Sequence, residues 1–145
     1  MRILVTGGAG YIGSVVTEEL HALGHDLVVY DNLSRGHRDA VDARIPVVQG
    51  ALLDGERLRE TFRRQRSEAV VHLAADSLVH ESMRDPARYY RNNVTAGLAL
   101  LDAMRDCSVG HLVFSSSAAV YGEPELQPIE ETEATRPTNT YGATK

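Results

Sequence analysis

Three glycines spaced three apart, Gly7, Gly10 and Gly13 in TGGAGYIGS, stand between a strand-like apolar run and an amphipathic helical one. Glycines so placed let the backbone turn tightly and approach a pyrophosphate, which then rests on a helix N-terminus and its partial positive charge. The alternative is a turn built only for close helix–sheet packing. Asp31 closes a second apolar run, eighteen residues past Gly13. A carboxylate there accepts hydrogen bonds from the adenosine ribose hydroxyls and repels a 2′-phosphate, favouring NAD over NADP. Arg35 and Arg38 nearby weaken that exclusion, and a solvated Asp-Asn turn is the plainer alternative. Tyr141 and Lys145 have YxxxK spacing, which on a helix puts both side chains on one face, a turn apart. A phenol is a poor base at neutral pH unless a neighbouring ammonium stabilises the phenolate. The same spacing also arises from packing alone. Fourteen of the fifteen basic residues are arginine, and Lys145 is the single lysine. Ser115, Ser116 and Ser117 leave a later apolar run, where a hydroxyl can bond a substrate oxygen and the phenol, or simply form a turn.

The elements that position these groups alternate between apolar strands and helical patterns, the signature of βαβ units. Strands are expected at Arg2–Thr6, Leu27–Tyr30, Pro46–Gln49, Ala69–Leu73 and His111–Ser115. Ile12, Val15, Val16, Leu20 and Leu23 mark the first helix, with Gly24 where it should stop. Asp54 suits the N-cap of a second, running to about Gln65. Asp85 and Pro86 open a long helix with Tyr90, Val94, Gly97, Leu98, Leu101 and Met104 on one face; Tyr89, Tyr90 and Met104 are expected in the core. Residues 118–140 read as a loop, and a helix starts near Tyr141. The expected architecture is α/β, a Rossmann-type doubly wound parallel sheet of five strands in the order 3-2-1-4-5, with ligands outside the carboxyl ends of the strands. All four chemistry-bearing groups fall at such ends.

The 145 residues suit one domain, and 43% hydrophobic with 24% charged residues suits a globular chain. A net charge of −5 argues against nucleic acid as a partner, and no apolar run approaches a membrane span. The first strand begins beside Met1, leaving no room for a signal peptide. One cysteine, Cys107, excludes an internal disulfide framework and fits a cytoplasmic location. The histidines lack metal spacing, since Gly24 separates His21 from His25. His72 reads as structural, Cys107 as helix-end packing, and Arg57, Arg59, Arg63, Arg64 and Arg66 as a solvated face.

TGGAGYIGS, DNLSRGH, HLAADSLVHES, YYRNNV, FSSSAAVYGE and YGATK occur in an order that resembles the extended short-chain dehydrogenase/reductase superfamily, and within it the UDP-glucose 4-epimerases. The resemblance runs the length of the chain and implies NAD as cofactor. It implies that Gly7, Gly10, Tyr11, Ile12 and Gly13 hold the pyrophosphate and that Asp31 and Asn32 hold the adenosine ribose. Ala51 and Leu52 would line the cofactor after the third strand, Leu73, Ala74 and Ala75 after the fourth, and Asn92 would contact it. Ser117 would bond the sugar 4-hydroxyl and Tyr141 would be the base. Lys145 would bind the nicotinamide ribose and lower the phenol's pKa. The implied reaction epimerises C4 of a UDP-hexose through a 4-keto sugar.

Two positions depart from the family pattern. Ala51 stands where relatives carry an acid that reads the adenine amino group, which removes a hydrogen bond worth about 1 kcal/mol. Ser77 stands where many carry a lysine. The family's second half is absent, so residues 1–145 are expected to be a Rossmann domain cut after the YxxxK motif. Such a chain should have a fraying last helix, weak NAD binding and little activity alone. Partners implied are the UDP-hexose and either a second copy through the long helix or a complementing C-terminal half. A non-catalytic NAD-binding module is the rival reading. A nucleotide-sugar dehydratase is another, although Ser117-Ala118-Ala119 replaces the Thr-Asp-Glu of that group.

Overall fold

The valine- and isoleucine-rich runs that suggest strands pair side by side in the computed structural model, which describes residues 1–124 and 127–145. The strands are β1 (Arg2–Thr6), β2 (Asp26–Asp31), β3 (Val47–Gln49), β4 (Ala69–His72) and β5 (His111–Phe114). All pairs are parallel, and the order β3-β2-β1-β4-β5 is the one expected from right-handed crossovers. Register places Ile3 beside Leu27 and Ala69, and Val5 beside Val29, so one sheet face carries Ile3, Val5, Ala9, Leu27, Val29, Val41, Ile45 and Ala69 as a core. Leu4, Val28, Tyr30 and Val70 alternate onto the other face and are equally buried. β5 is an edge strand with all four residues exposed.

Two compact units divide the chain, Met1–Ala74 with Gly97–Ser115, and Ala75–Ala96 with Ser116–Lys145. The first holds the sheet, α1 (Tyr11–Ala22), α2 (Gly55–Gln65) and most of α5 (Ala96–Asp106). Gly24, at φ +82°, ends α1 as its pattern requires, and the Asp54 carboxylate accepts from the Arg57 N–H to cap α2. Arg57, Arg63 and Arg64 are exposed on α2 and Arg66 just past its end, while Arg59 lies 3.6 Å from Asp106. Cys107 is half-buried just past α5, and His72 is buried with its Nδ1 hydrogen-bonded to the Thr6 hydroxyl at 2.6 Å.

The second unit holds α3 (Val79–Arg84), α4 (Pro86–Tyr89), a π-helical turn (Tyr90–Thr95), a 3-10 turn (Ala118–Val120) and α6 (Thr140–Ala143). Asp85 caps α4 through the Arg88 N–H, as its Asp-Pro start implies. Tyr89 is fully buried, its hydroxyl donating to the Leu78 carbonyl at 2.8 Å. Arg88 grips Asp76 with two hydrogen bonds of 2.9 and 3.0 Å. Residues 121–124 and 127–139 are loop between that 3-10 turn and α6, and Glu125 and Leu126 lie outside the described residues.

The structure corrects the long helix in one respect. Tyr90, Leu98 and Leu101 of the expected stripe are 48%, 58% and 47% exposed, whereas Tyr89, Asn93, Ala96, Leu100, Ala103 and Met104 are buried. The inward face is rich in small and polar side chains, so hydrophobicity pointed to the outward one. The short α3 was not expected; it lacks both a side-chain cap and a long periodic pattern.

Candidate functional site

The candidate residues fall into two clusters, one in each unit, and each is built differently. In the first unit, β1 runs into Gly7 at φ +70°, a left-handed turn that glycine adopts without strain. A side chain there would strike the backbone of Leu73 and Ala74, with the Ala74 nitrogen 2.6 Å from the added carbon. A Cβ at Gly13 would strike the Gly7 carbonyl oxygen. The loop therefore presses against both the start of α1 and the end of β4, and only glycine allows it.

No side chain caps α1 at Gly10, and no acidic residue occupies its first turn. Its N-terminal amides and partial positive charge are thus left uncompensated by protein, the condition that favours a bound anion. Tyr11 is exposed beside them, as is Ile12.

Asp31 is buried, and its carboxylate accepts from the Ala9 N–H at 3.0 Å and the Leu33 N–H at 2.8 Å. It is therefore a strut that fixes the glycine loop against the end of β2, and each oxygen keeps a further lone pair for a ligand hydroxyl. Asn32 accepts from the Ser34 N–H. Gly36 lets the following loop close on Ala9, whose carbonyl accepts from the His37 N–H at 2.9 Å.

Ala51 follows β3 beside Asp31, since the Gly50 N–H donates to the Asp31 carbonyl. The Ala51 carbonyl accepts from the buried Tyr30 hydroxyl at 3.1 Å, and Leu52 is buried next to it. Burial, helped by the nearby Asp54 charge, pushes the Tyr30 phenol up to about 12. Leu73 donates its N–H to the Thr6 carbonyl, which sets Leu73 and Ala74 at the carboxyl end of β4.

The second cluster gathers Ser117, Tyr141 and Lys145. Ser117 caps the 3-10 turn by accepting from the Ala119 N–H at 3.2 Å. Gly142 brings α6 onto that turn, because any side chain there would strike the Ala119 carbonyl oxygen. Tyr141 donates its N–H to the Ser82 hydroxyl at 3.0 Å, and Asn139 caps α6 through the Gly142 N–H at 2.8 Å. The Lys145 N–H reaches back to the Gly142 carbonyl, while its own carbonyl accepts from the Ser116 hydroxyl. Burial pushes the Lys145 ammonium's pKa down. A four-residue helix would fray alone, yet these bonds from outside its own backbone hold it.

Asn92 lies half-buried in the π-helical turn with Ala75 half-buried earlier in the same unit. Sequence reasoning missed its neighbour Asn93, which is buried and bonds both backbone groups of Asp76. It also missed Ser82 and Thr144. Small polar residues within helical patterns were the available signal. Among the described residues no group of histidines, cysteines and carboxylates could hold a metal ion, and no helix is long and apolar enough to cross a membrane.

Residues 3–145 match the model of the NAD dependent epimerase/dehydratase family. UDP-glucose 4-epimerase of Lacticaseibacillus casei is 48% identical over 145 residues, covering 100% of this chain and 44% of that protein. The enzyme of the same name from Corynebacterium glutamicum is 50% identical with the same coverage. The crystal structure of UDP-glucose 4-epimerase from Brucella ovis in complex with NAD superimposes with a TM-score of 0.96 at 49% identity, covering 99% of this chain and 44% of that one. The chain thus spans a little under half the length of the relatives it matches. It belongs to the NAD dependent epimerase/dehydratase family.

Proposed function

We propose that this chain is the NAD-binding part of a cytoplasmic enzyme that epimerises C4 of a UDP-hexose, with residues 1–145 as its Rossmann domain. The observation that carries this reading is the uncapped, acid-free start of α1 behind three space-limited glycines, with Asp31 fastened to the same loop. Such a cradle suits a dinucleotide diphosphate and its ribose. The relatives named UDP-glucose 4-epimerase, and their NAD-bound structures, support the choice of reaction.

In this reading Gly7, Gly10, Tyr11, Ile12 and Gly13 receive the diphosphate, and Asp31 and Asn32 receive the adenosine ribose. Ala51 and Leu52 line the adenine side, whereas Leu73, Ala74, Ala75, Asn92 and Lys145 serve the nicotinamide half. NAD, when bound, supplies reversible hydride exchange. Ser117 orients the sugar 4-hydroxyl and Tyr141 takes its proton, later returning it to the 4-keto oxygen. Lys145, the single lysine of the chain, supplies the positive charge of the pair.

Residues gripping the uridine phosphates would come from polypeptide outside this 44% of the relatives' length. The exposed Tyr90, Val94, Leu98 and Leu101 suit a homodimer through the long helix.

Incubating the chain with NAD⁺ and UDP-galactose, followed by proton NMR of the sugar anomeric signals, tests the reaction. UDP-glucose formed by the native chain and not by Tyr141→Phe is the result expected of a complete site. Binding of NAD⁺ without conversion assigns the chain to the cofactor-module role. Conversion that persists in Tyr141→Phe contradicts the assignment of the base.

A further inference from the structure

At the amino ends of the strands, opposite the glycine loop, the first unit carries an open groove of about 600 Å³. It lies between the end of α2, at Arg63 and Arg66, and the turn from α5 into β5, at Cys107, Ser108 and His111. Left-handed residues, Arg66 at φ +50° and Ser108 at φ +56°, close the two helix ends. Free carbonyls at a helix C-terminus would repel an anion, but these are occupied. The Phe62 and Arg63 carbonyls accept from the Ser67 and Arg66 N–H groups, and those of Ala103 and Met104 from Cys107 and Val109. The Arg66 carbonyl accepts from the Arg2 guanidinium at 2.7 Å.

The charge lining this groove is unbalanced. Arg2, Arg63 and Arg66 stand against one carboxylate, that of Glu68. Glu68 is already spent on Arg2, whose N–H and Nη2 each donate to one of its oxygens at 2.8 Å. Among the described residues, Arg63 and Arg66 have neither an ion pair nor a side-chain hydrogen bond. The other arginines of α2 differ, since Arg59 lies 3.6 Å from Asp106 and Arg57 and Arg64 lie outside the groove. The Ser67 hydroxyl in the groove wall is buried without a partner, an unmade hydrogen bond that an acceptor would relieve. In a chain of net charge −5, the groove gathers positive charge and uncommitted donors.

We propose that this groove is a second ligand site, for a small anion carrying a diphosphate, held by Arg63 and Arg66. A guanidinium binds phosphoryl oxygens through two parallel hydrogen bonds, and two such forks match two phosphoryl groups. The volume falls within the range of small-molecule sites, roughly 300–1,000 Å³. The site lies at the opposite ends of the strands from Gly7, Gly13 and Asp31, so it stands or falls independently of the cofactor reading.

Cys107 is the only cysteine and is half-buried in the groove, so its rate of reaction with the neutral disulfide dithiodipyridine reports occupancy there. Inorganic pyrophosphate, added at constant ionic strength to hold screening fixed, should slow that reaction until it levels off. Arg63→Gln and Arg66→Gln should each raise the pyrophosphate concentration needed at least about tenfold. Arg64→Gln removes the same charge from the same helix outside the groove and should leave the protection unchanged. All three replace exposed side chains. No protection of Cys107 at any pyrophosphate concentration overturns the proposal. Native-like protection in Arg63→Gln and Arg66→Gln overturns it too, and so does an equal loss in Arg64→Gln, which would make the effect one of net charge.

Discussion

The glycine loop after β1 and the Tyr141–Lys145 turn are both small, and they are held in opposite ways. The loop is shaped by what is missing, since Gly7 and Gly13 leave no room for side chains and backbone meets backbone. The turn is shaped by what is present, because Asn93, Thr144, Ser82, Asn139 and Ser116 each spend a hydrogen bond on it. A cradle made of backbone is rigid and suits a ligand that many proteins bind alike. A turn held by side-chain bonds can be tuned by single substitutions.

The largest expected effect tests the first half of that contrast. Gly13→Ala drives a carbon into the Gly7 carbonyl oxygen, so the loop must shift. A cost of about 3 kcal/mol and loss of detectable NAD⁺ binding are expected, read by urea denaturation and calorimetry. Unchanged affinity would show that the loop yields more easily than its packing implies.

Asn93→Ala comes next and strikes only the region built by side chains. Leaving the Asp76 N–H and C=O without the Asn93 amide should cost about 2–3 kcal/mol. Amide exchange should speed up at Tyr141 and Thr144, while the β1–β2 ladder stays protected. Equal acceleration in the sheet would erase the distinction between the two regions.

The same contrast explains what the sequence revealed. The sheet order, the glycine loop and Asp31 at the end of β2 were legible because each depends on backbone rules: periodicity, left-handed turns and crossover hand. Asp31 nonetheless does more than its motif implied, since it also braces Ala9. Asn93 was passed over for Asn92 because nothing in a lone sequence separates two adjacent asparagines until the helix face is known. The buried face of that helix was itself misread, since Leu98 and Leu101 point outward while Ala96 and Ala103 point inward.

Tyr30→Phe is a smaller perturbation at the edge of the cradle. Losing the bond to the Ala51 carbonyl should cost about 1 kcal/mol at neutral pH. The phenol keeps its proton in the folded state up to about 12 but loses it near 10 when unfolded, so its contribution is complete below pH 10 and declines as pH rises from there through 12. Alkaline denaturation curves of Tyr30→Phe should therefore converge on those of the native chain above pH 10.

Lys145→Met should have the smallest effect, of opposite sign. The folded state disfavours the buried ammonium, so the unfolded chain binds more protons in the alkaline range below the ordinary lysine pKa, and native stability rises with pH there. The methionine variant should be slightly more stable at pH 7, and the advantage should shrink as pH rises through that range. A destabilised variant at pH 7 would mean that Lys145 gains more from its partners than it loses by burial.

Isothermal titration of the chain with NAD⁺ and, in parallel, with NADP⁺ tests the cradle most directly. Binding of NAD⁺ at least about tenfold tighter than NADP⁺, a difference of roughly 1.4 kcal/mol, is predicted from the buried Asp31 carboxylate at the proposed ribose site. Absence of NAD⁺ binding, or equal affinity for the two, would contradict the assignment of Gly7, Gly10, Gly13 and Asp31 as the dinucleotide site.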